Sequence, residues 1–491
     1  MQTSPTHILD RLFSIPFFKD IDTAALVQQY DRSSVLRQGN RAAKPAVPPQ
    51  ALAGTSITSL PPEGILIAAP GQYELANDIT WSPTSEGFAI TVTASGVVLD
   101  LRGHTLSVQS PRPNTARQYS GVSISGGDVT VQGGTVNGAT YYGLSASSAP
   151  GLKVQGMTFG AIGHPEIATG YQPCGIFIDQ TDGFTVENCI VQNLSVTAPS
   201  CAGIQVVDSQ NGTISSCTMT RFLNNDGAVQ GFSYLLCEHI STSGCKCENF
   251  QSHYVGKTVT KGHTVIGYIP ILCANLRFDH CSSTSMTGCC DDCHGMSVFL
   301  DTLVEVNDFS ATNVVDGVTP EHTGAKATGL EVYGVGITLN NCIAETITAI
   351  VPRDRQSAGF SAWGTAITFN NCTAIDVKVT DASGTPSTQY GYGTGFGWAP
   401  DPRQAFNGNP ASLVQYNGCV SRNCQVGFDT WFHTDSVWKN IGAVECPIFI
   451  LIQPPGAVRT FSMDRCSESP DGKYQEVTLR NIAKNITYLL P

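Results

Sequence analysis

The chain has 491 residues, 13% charged and 41% hydrophobic, with 49 glycines, 18 cysteines and a formal net charge of -12. Charge this sparse excludes a disordered polyelectrolyte, and the acidic balance argues against a nucleic-acid partner bound by phosphate neutralisation. The length would fill two or three ordinary domains unless a repeat extends one core in a single direction.

From the N-terminus, Ile8, Leu9, Leu12, Phe13, Phe17, Phe18, Ile21, Leu26 and Val27 recur at helical spacing, predicting a short helical segment over residues 1–38, broken near Pro16. It lacks the basic start and continuous apolar run of a secretion signal. No stretch of the chain approaches the ~20 apolar residues of a membrane span. The expected location is therefore the cytoplasm, with no membrane partner and mostly reduced thiols. Residues 39–64, rich in Pro, Ala, Gly and Ser, read as a linker or strap.

From residue 65 on, a repeat governs the chain. The pieces DLRGHTL, TVQGGTV, KVQGMTF, TVENCIV, TISSCTM, STSGCKC, RFDHCSS, EVNDFSA, TLNNCIA, TFNNCTA, QYNGCVS, WKNIGAV and SMDRCSE align, and their fifth positions run from His104 to Cys466 at a mean spacing of about 30 residues. Each interval holds a second strand that opens on glycine, as in GIFID at Gly175, GMSVF at Gly295, GLEVY at Gly329 and GFSAW at Gly359. Short alternating strands without a long helical pattern predict an all-β fold. It is a single-stranded right-handed parallel β-helix of about 13 coils over residues 65–470, with a C-terminal cap at 471–491.

GQYELANDITW followed by GFAITVTASGVVLDLRGHTLSV resembles the opening coils of right-handed β-helix proteins of the pectate-lyase-like superfamily. The resemblance implies the fold but no single activity, because lyases, hydrolases, epimerases and inert binding rods share it.

Eight cysteines, Cys189, Cys217, Cys245, Cys281, Cys342, Cys372, Cys419 and Cys466, occupy one coil position and are expected to stack as small buried apolar groups. Cys289, Cys290, Asp291, Asp292, Cys293 and His294 form a separate cluster. Adjacent residues rarely converge on one ion, so no metal is expected there, and no cofactor elsewhere.

Alternation places the side chains two and four positions after each glycine on the outer face. Phe299, Tyr333 and Trp363 then stack as an exterior aromatic stripe beside Ser297, Glu331 and Ser361, with Asp179 and Trp431 at equivalent positions on other coils. Such a stripe suits a ligand groove or a contact between copies, as a dimer or trimer. The longest intervals flank the same coils and bring His253, Tyr254, Lys257, Lys261 and His263, then Asp316, Glu321, His322, Lys326, Arg353 and Arg355. CDDCHGMS is similar to the paired aspartates and glycine-histidine-glycine of polygalacturonases. Here Asp291, Asp292 and His294 are almost contiguous and the lysine-bearing element is missing. In RFDHCSS, Asp279 and His280 sit at the ordinary turn before Cys281.

These residues predict a lyase, epimerase or isomerase that moves a proton next to a carbonyl or carboxylate on a carbohydrate-like or polyol small molecule. Such chemistry needs a base, an acid and a cation for the developing enolate. Glu331 or His294 is the expected base, Tyr333 or His322 the acid, Lys326, Arg353 or Arg355 the cation, with Asp292 alongside. Phe299, Trp363, Ser297, Ser361, Asp179 and Trp431 are expected to bind substrate. A biosynthetic cyclase or dehydratase acting on an apolar small molecule, a non-enzymatic carbohydrate-binding or structural rod, and a glycoside hydrolase are the alternatives.

Overall fold

The computed structural model describes residues 55–110, 117–166, 168–253, 264–289, 292–317, 326–350, 357–386, 392–397, 411–429, 433–434, 436–451 and 461–464. Among them the regular elements are strands, and no helix is long and apolar enough to cross a membrane. They fall into two compact units dividing between residues 257 and 258.

In the first unit, Gly87–Val92, Tyr119–Ile124, Tyr142–Ser147, Cys174–Asp179, Ser200–Val207 and Ala228–Leu235 stack in parallel. Register keeps like on like: Leu144 faces Ile176, Ile176 faces Ile204 and Ile204 faces Phe232, all of them fully buried. Ser56–Ile57, inside the expected strap, pairs with Gly71–Leu75.

In the second unit the same kind of ladder runs through Thr264–Ile271, Asp292–Asn307, Ala327–Val335, Ser357–Thr365, Gly393–Gly397 and Val426–Asp429. Its inward row ends in flat ring stacks, Phe360 on Phe396 at 4.8 Å and Phe396 on Phe428 at 5.1 Å between centroids. Each such ring buries a large apolar area, which is the main force closing the coil.

Counted over both units, the right-handed parallel β-solenoid has about ten turns. Thirteen coils are not established, because the last rung, Cys466, lies outside the described residues, as does the helical segment expected at 1–38.

The corner before each cysteine rung explains the repeat. Asn188, Ser216, His280, Asn341 and Asn371 all take left-handed backbone, with φ between 52° and 54°. Asparagine and glycine reach this region at least cost, so Asn-Cys and Gly-Cys recur where the chain turns. His280 is one of these corners, in keeping with the ordinary turn read from the sequence. The seven described rungs are buried. Their thiols donate back into the coil, as Cys342 does to the carbonyls of Asn340 at 3.4 Å and of Val306 on the preceding turn at 3.6 Å. The described cysteines are free thiols.

A second ladder accompanies the rungs of this unit. Asn340 donates to Asn307 at 2.7 Å, Asn370 to Asn340 at 2.8 Å and Asn417 to Asn370 at 2.9 Å, while Asn307 donates to Asp279 at 2.8 Å. Asn307, Asn340 and Asn370 each give and take one bond along the stack, which satisfies polar groups at the edge of the core.

Candidate functional site

The outer face of the second unit is shaped by its corner glycines. A Cβ on Gly295 would stand 2.5 Å from the Cβ of Ala311, and one on Gly329 2.5 Å from that of Ala344. The opposite wall therefore comes too close for any side chain. Gly295 and Met296 both face inward, breaking the alternation, and His294, Ser297 and Phe299 are left on the outer face. This turns the residue before each glycine outward as a third row, which strict alternation misses: His294 pairs with Thr328, Thr328 with Ala358 and Ala358 with Thr394. The glycine itself is the signal in the sequence that could have revealed that row.

The other two rows fall where alternation puts them. Ser297 pairs with Glu331 and Glu331 with Ser361, while Phe299 pairs with Tyr333 and Tyr333 with Trp363. The aromatic rings are adjacent but not parallel. Phe299 and Tyr333 lie 5.2 Å apart at 62°, and Tyr333 and Trp363 lie 5.1 Å apart at 41°, so part of the ring faces is presented along the stripe. Tyr333 is itself buried, with Phe299 and Trp363 more exposed on either side. A bulge between Phe299 and Asp301 sets the end of this row. The carboxyl of Asp301, fully buried, accepts the N–H groups of Cys273 and Phe299 and so fixes the bulge.

Glu331 is the centre of the polar cluster. Its carboxylate is ion-paired with Lys326, lies 3.7 Å from Nε2 of His294 and accepts the Ser297 hydroxyl at 3.3 Å. Burial raises its pKa, but the Lys326 ammonium and, when it is protonated, the His294 imidazole outweigh that and hold it at about 2. The Glu331 side chain is 20% exposed, against 3% for His294 and 8% for Lys326, so it is the member of the trio most open to a ligand. A carboxylate held at about 2 accepts a proton poorly near neutrality, which favours His294 of the two groups expected as base. Burial pushes the Tyr333 phenol up, which keeps it protonated and fits a donor.

Lys326 is held by its backbone. Its N–H donates to the buried carboxyl of Asp316 at 2.8 Å, and burial pushes that carboxyl well above the usual carboxylate range. On the same face, the hydroxyls of Thr328, Ser361 and Thr394 are buried and have no hydrogen-bond partner among the described residues. Asp429 follows Phe428, the partner of Phe396, and stands in the Glu331 row three strands further on, at about 14 Å by strand spacing.

The structure thus brings together Glu331, His294, Lys326, Ser297, Phe299, Tyr333, Trp363 and Ser361 on one outer face. It does not bring Asp179 to them. Asp179 lies in the first unit, where its carboxyl is pushed up to about 6 by burial and by the charge of Asp208 and takes the Ser147 hydroxyl at 3.4 Å. Asp292 is at the start of its strand, paired with Thr264. Cys293 points into the core while His294 points out, so the side chains of that cluster diverge. Among the described residues no three His, Cys, Asp or Glu groups are placed to share a metal ion. His322, Arg353, Arg355 and Trp431 lie outside the described residues, with Glu321, Cys290, Asp291, Tyr254, Lys257, Lys261 and His263.

Residues 77–230 match the family model described as "Right handed beta helix region". No curated protein matches the chain in sequence. Among solved structures, the chain is similar to the tailspike protein of E. coli bacteriophage HK620 in complex with a pentasaccharide, at 11% identity and a TM-score of 0.46, over 81% of this chain and 72% of that one. It is also similar to a mutant of that tailspike in complex with a hexasaccharide, at 10% identity and a TM-score of 0.48, over 81% and 71%. With its parallel strands stacked turn on turn in each unit and the match over 77–230, the chain has the right-handed parallel β-helix fold.

Proposed function

We propose that the outer face around Glu331 binds a carbohydrate that bears a carboxylate, and catalyses elimination by removing the proton beside that carboxylate. The observation that carries this reading is the trio of Lys326, Glu331 and His294 set beside an aromatic row. In it His294 is the base, Glu331 orients the imidazole and stabilises its charged form, and Lys326 neutralises the enolate that develops. Tyr333, kept protonated, is the donor on the same face. Sugar rings pack on the stripe of Phe299, Tyr333 and Trp363, and their hydroxyls meet those of Thr328, Ser361 and Thr394, buried groups without a partner among the described residues. A site with as much positive as negative charge also suits an anionic sugar on a chain of net charge -12.

Hydrolysis of a glycosidic bond is the second reading. It is favoured by the exposure of a carboxylate that stays ionised, the state needed to face an oxocarbenium-like transition state. Asp429 is too far from Glu331 to serve as its partner, since paired carboxyls work at about 5–9.5 Å. Mass spectrometry of the products from uronate-bearing polysaccharides separates the two. Elimination gives an unsaturated end lighter by one water than the hydrolysis product, and a saturated end alone would overturn the first reading.

A further inference from the structure

From the geometry at the end of the second unit, we infer that Cys424 and Cys446 are a reactive dithiol that closes to a disulfide by exchange with a small disulfide of the glutathione class. Arg422 and Val444 are in register on neighbouring parallel strands, and each cysteine follows its strand by two residues. Each comes directly after a left-handed corner, Asn423 at φ 49° and Glu445 at φ 57°, and each thiol donates to the carbonyl two residues back, at 3.2 Å and 3.5 Å. Equivalent positions on adjacent strands put the Cα atoms about 4.8 Å apart, inside the 4.4–6.8 Å window of a disulfide.

The buried rungs Cys342, Cys372 and Cys419 share this stacking, so spacing alone does not single the pair out. Access does. Among the described cysteines Cys446 alone is not buried. The adjacent Cys424 side chain holds Cys446 down at about 7, while the Cys446 sulfur and burial push Cys424 up.

In the first step the Cys446 thiolate attacks one sulfur of the small disulfide. That S–S bond breaks, a mixed disulfide forms and one small thiolate leaves. In the second, Cys424 gives up its proton and its sulfur attacks the Cys446 sulfur, releasing the other small thiol. Two protein thiols are oxidised to one disulfide as one small disulfide is reduced to two thiols.

The test incubates the native full chain with oxidised glutathione and maps thiols by mass spectrometry. The wild type is expected to lose two thiols to a Cys424–Cys446 bond, with Cys342, Cys372 and Cys419 unmodified. C424S is expected to hold a stable glutathionyl group on Cys446, and C446S to leave Cys424 unmodified. A wild type that keeps glutathione on Cys446 as long as C424S does, that leaves Cys446 unreacted, or that reacts equally at the rungs overturns the inference.

Discussion

Lys326 and Glu331 pair within five residues of chain, the ammonium entering the strand just ahead of the carboxylate it holds. Glu331 therefore has a lower pKa folded than unfolded, and its ionised form stabilises the fold. The contribution is fully present above about pH 4.5, the ordinary carboxylate range, and is lost as pH falls toward about 2. A shift of this size is worth on the order of 3 kcal/mol. Urea unfolding at several acidic pH values is expected to show a shallower loss of stability for E331Q than for wild type. Parallel curves would mean that Glu331 is not held ionised by its neighbours.

Asp316 acts on the site only through Lys326, whose N–H it accepts. D316A leaves that amide without its partner, costing about 1–3 kcal/mol. It is also expected to lower kcat by tenfold or more, with little change in KM. D316N keeps a carbonyl acceptor and is expected to restore most of kcat. Equal kcat in D316A and wild type would show that Lys326 is positioned by other contacts.

The fold was legible in this chain because a coil repeats its chemistry. Asn188, Asn341 and Asn371 precede their cysteines since the corner needs a left-handed residue, and the cysteines follow since the space inside is small. Two rows of the outer face, Ser297–Glu331–Ser361 and Phe299–Tyr333–Trp363, followed from alternation alone. The row of His294 and Thr328 did not, because the glycine after each one spends two successive positions facing inward, a close approach of walls that no periodicity contains. The choice between Glu331 and His294 as base stayed open for the same reason: the charge state of Glu331 depends on neighbours whose contacts are not visible along the chain. Asp179 has the right position relative to its glycine yet belongs to the other unit.

The asparagine stack makes a separate prediction about stability. Asn370 gives one amide bond to Asn340 and takes one from Asn417. N370A removes both and is expected to cost about 2 kcal/mol in thermal or urea unfolding. N371G, at the neighbouring left-handed corner, is expected to be within about 0.5 kcal/mol of wild type. Similar losses for the two would place the stabilisation in the corner rather than in the amide ladder.

Deleting the ring of Trp363, a half-buried end of the stripe, is expected to weaken carbohydrate binding without unfolding the coil. W363A should raise the Kd for an oligosaccharide about tenfold in calorimetry, the size of one aromatic contact. An unchanged Kd would move the ligand off this row.

The most direct test of the account compares the initial rate of unsaturated-product release by wild type and E331Q on a panel of uronate-bearing polysaccharides, with circular dichroism to confirm that both are folded. The account predicts turnover of at least one polymer by wild type and a fall of at least about a hundredfold in E331Q. Equal rates for the two proteins, or no product from any polymer with wild type, would contradict it.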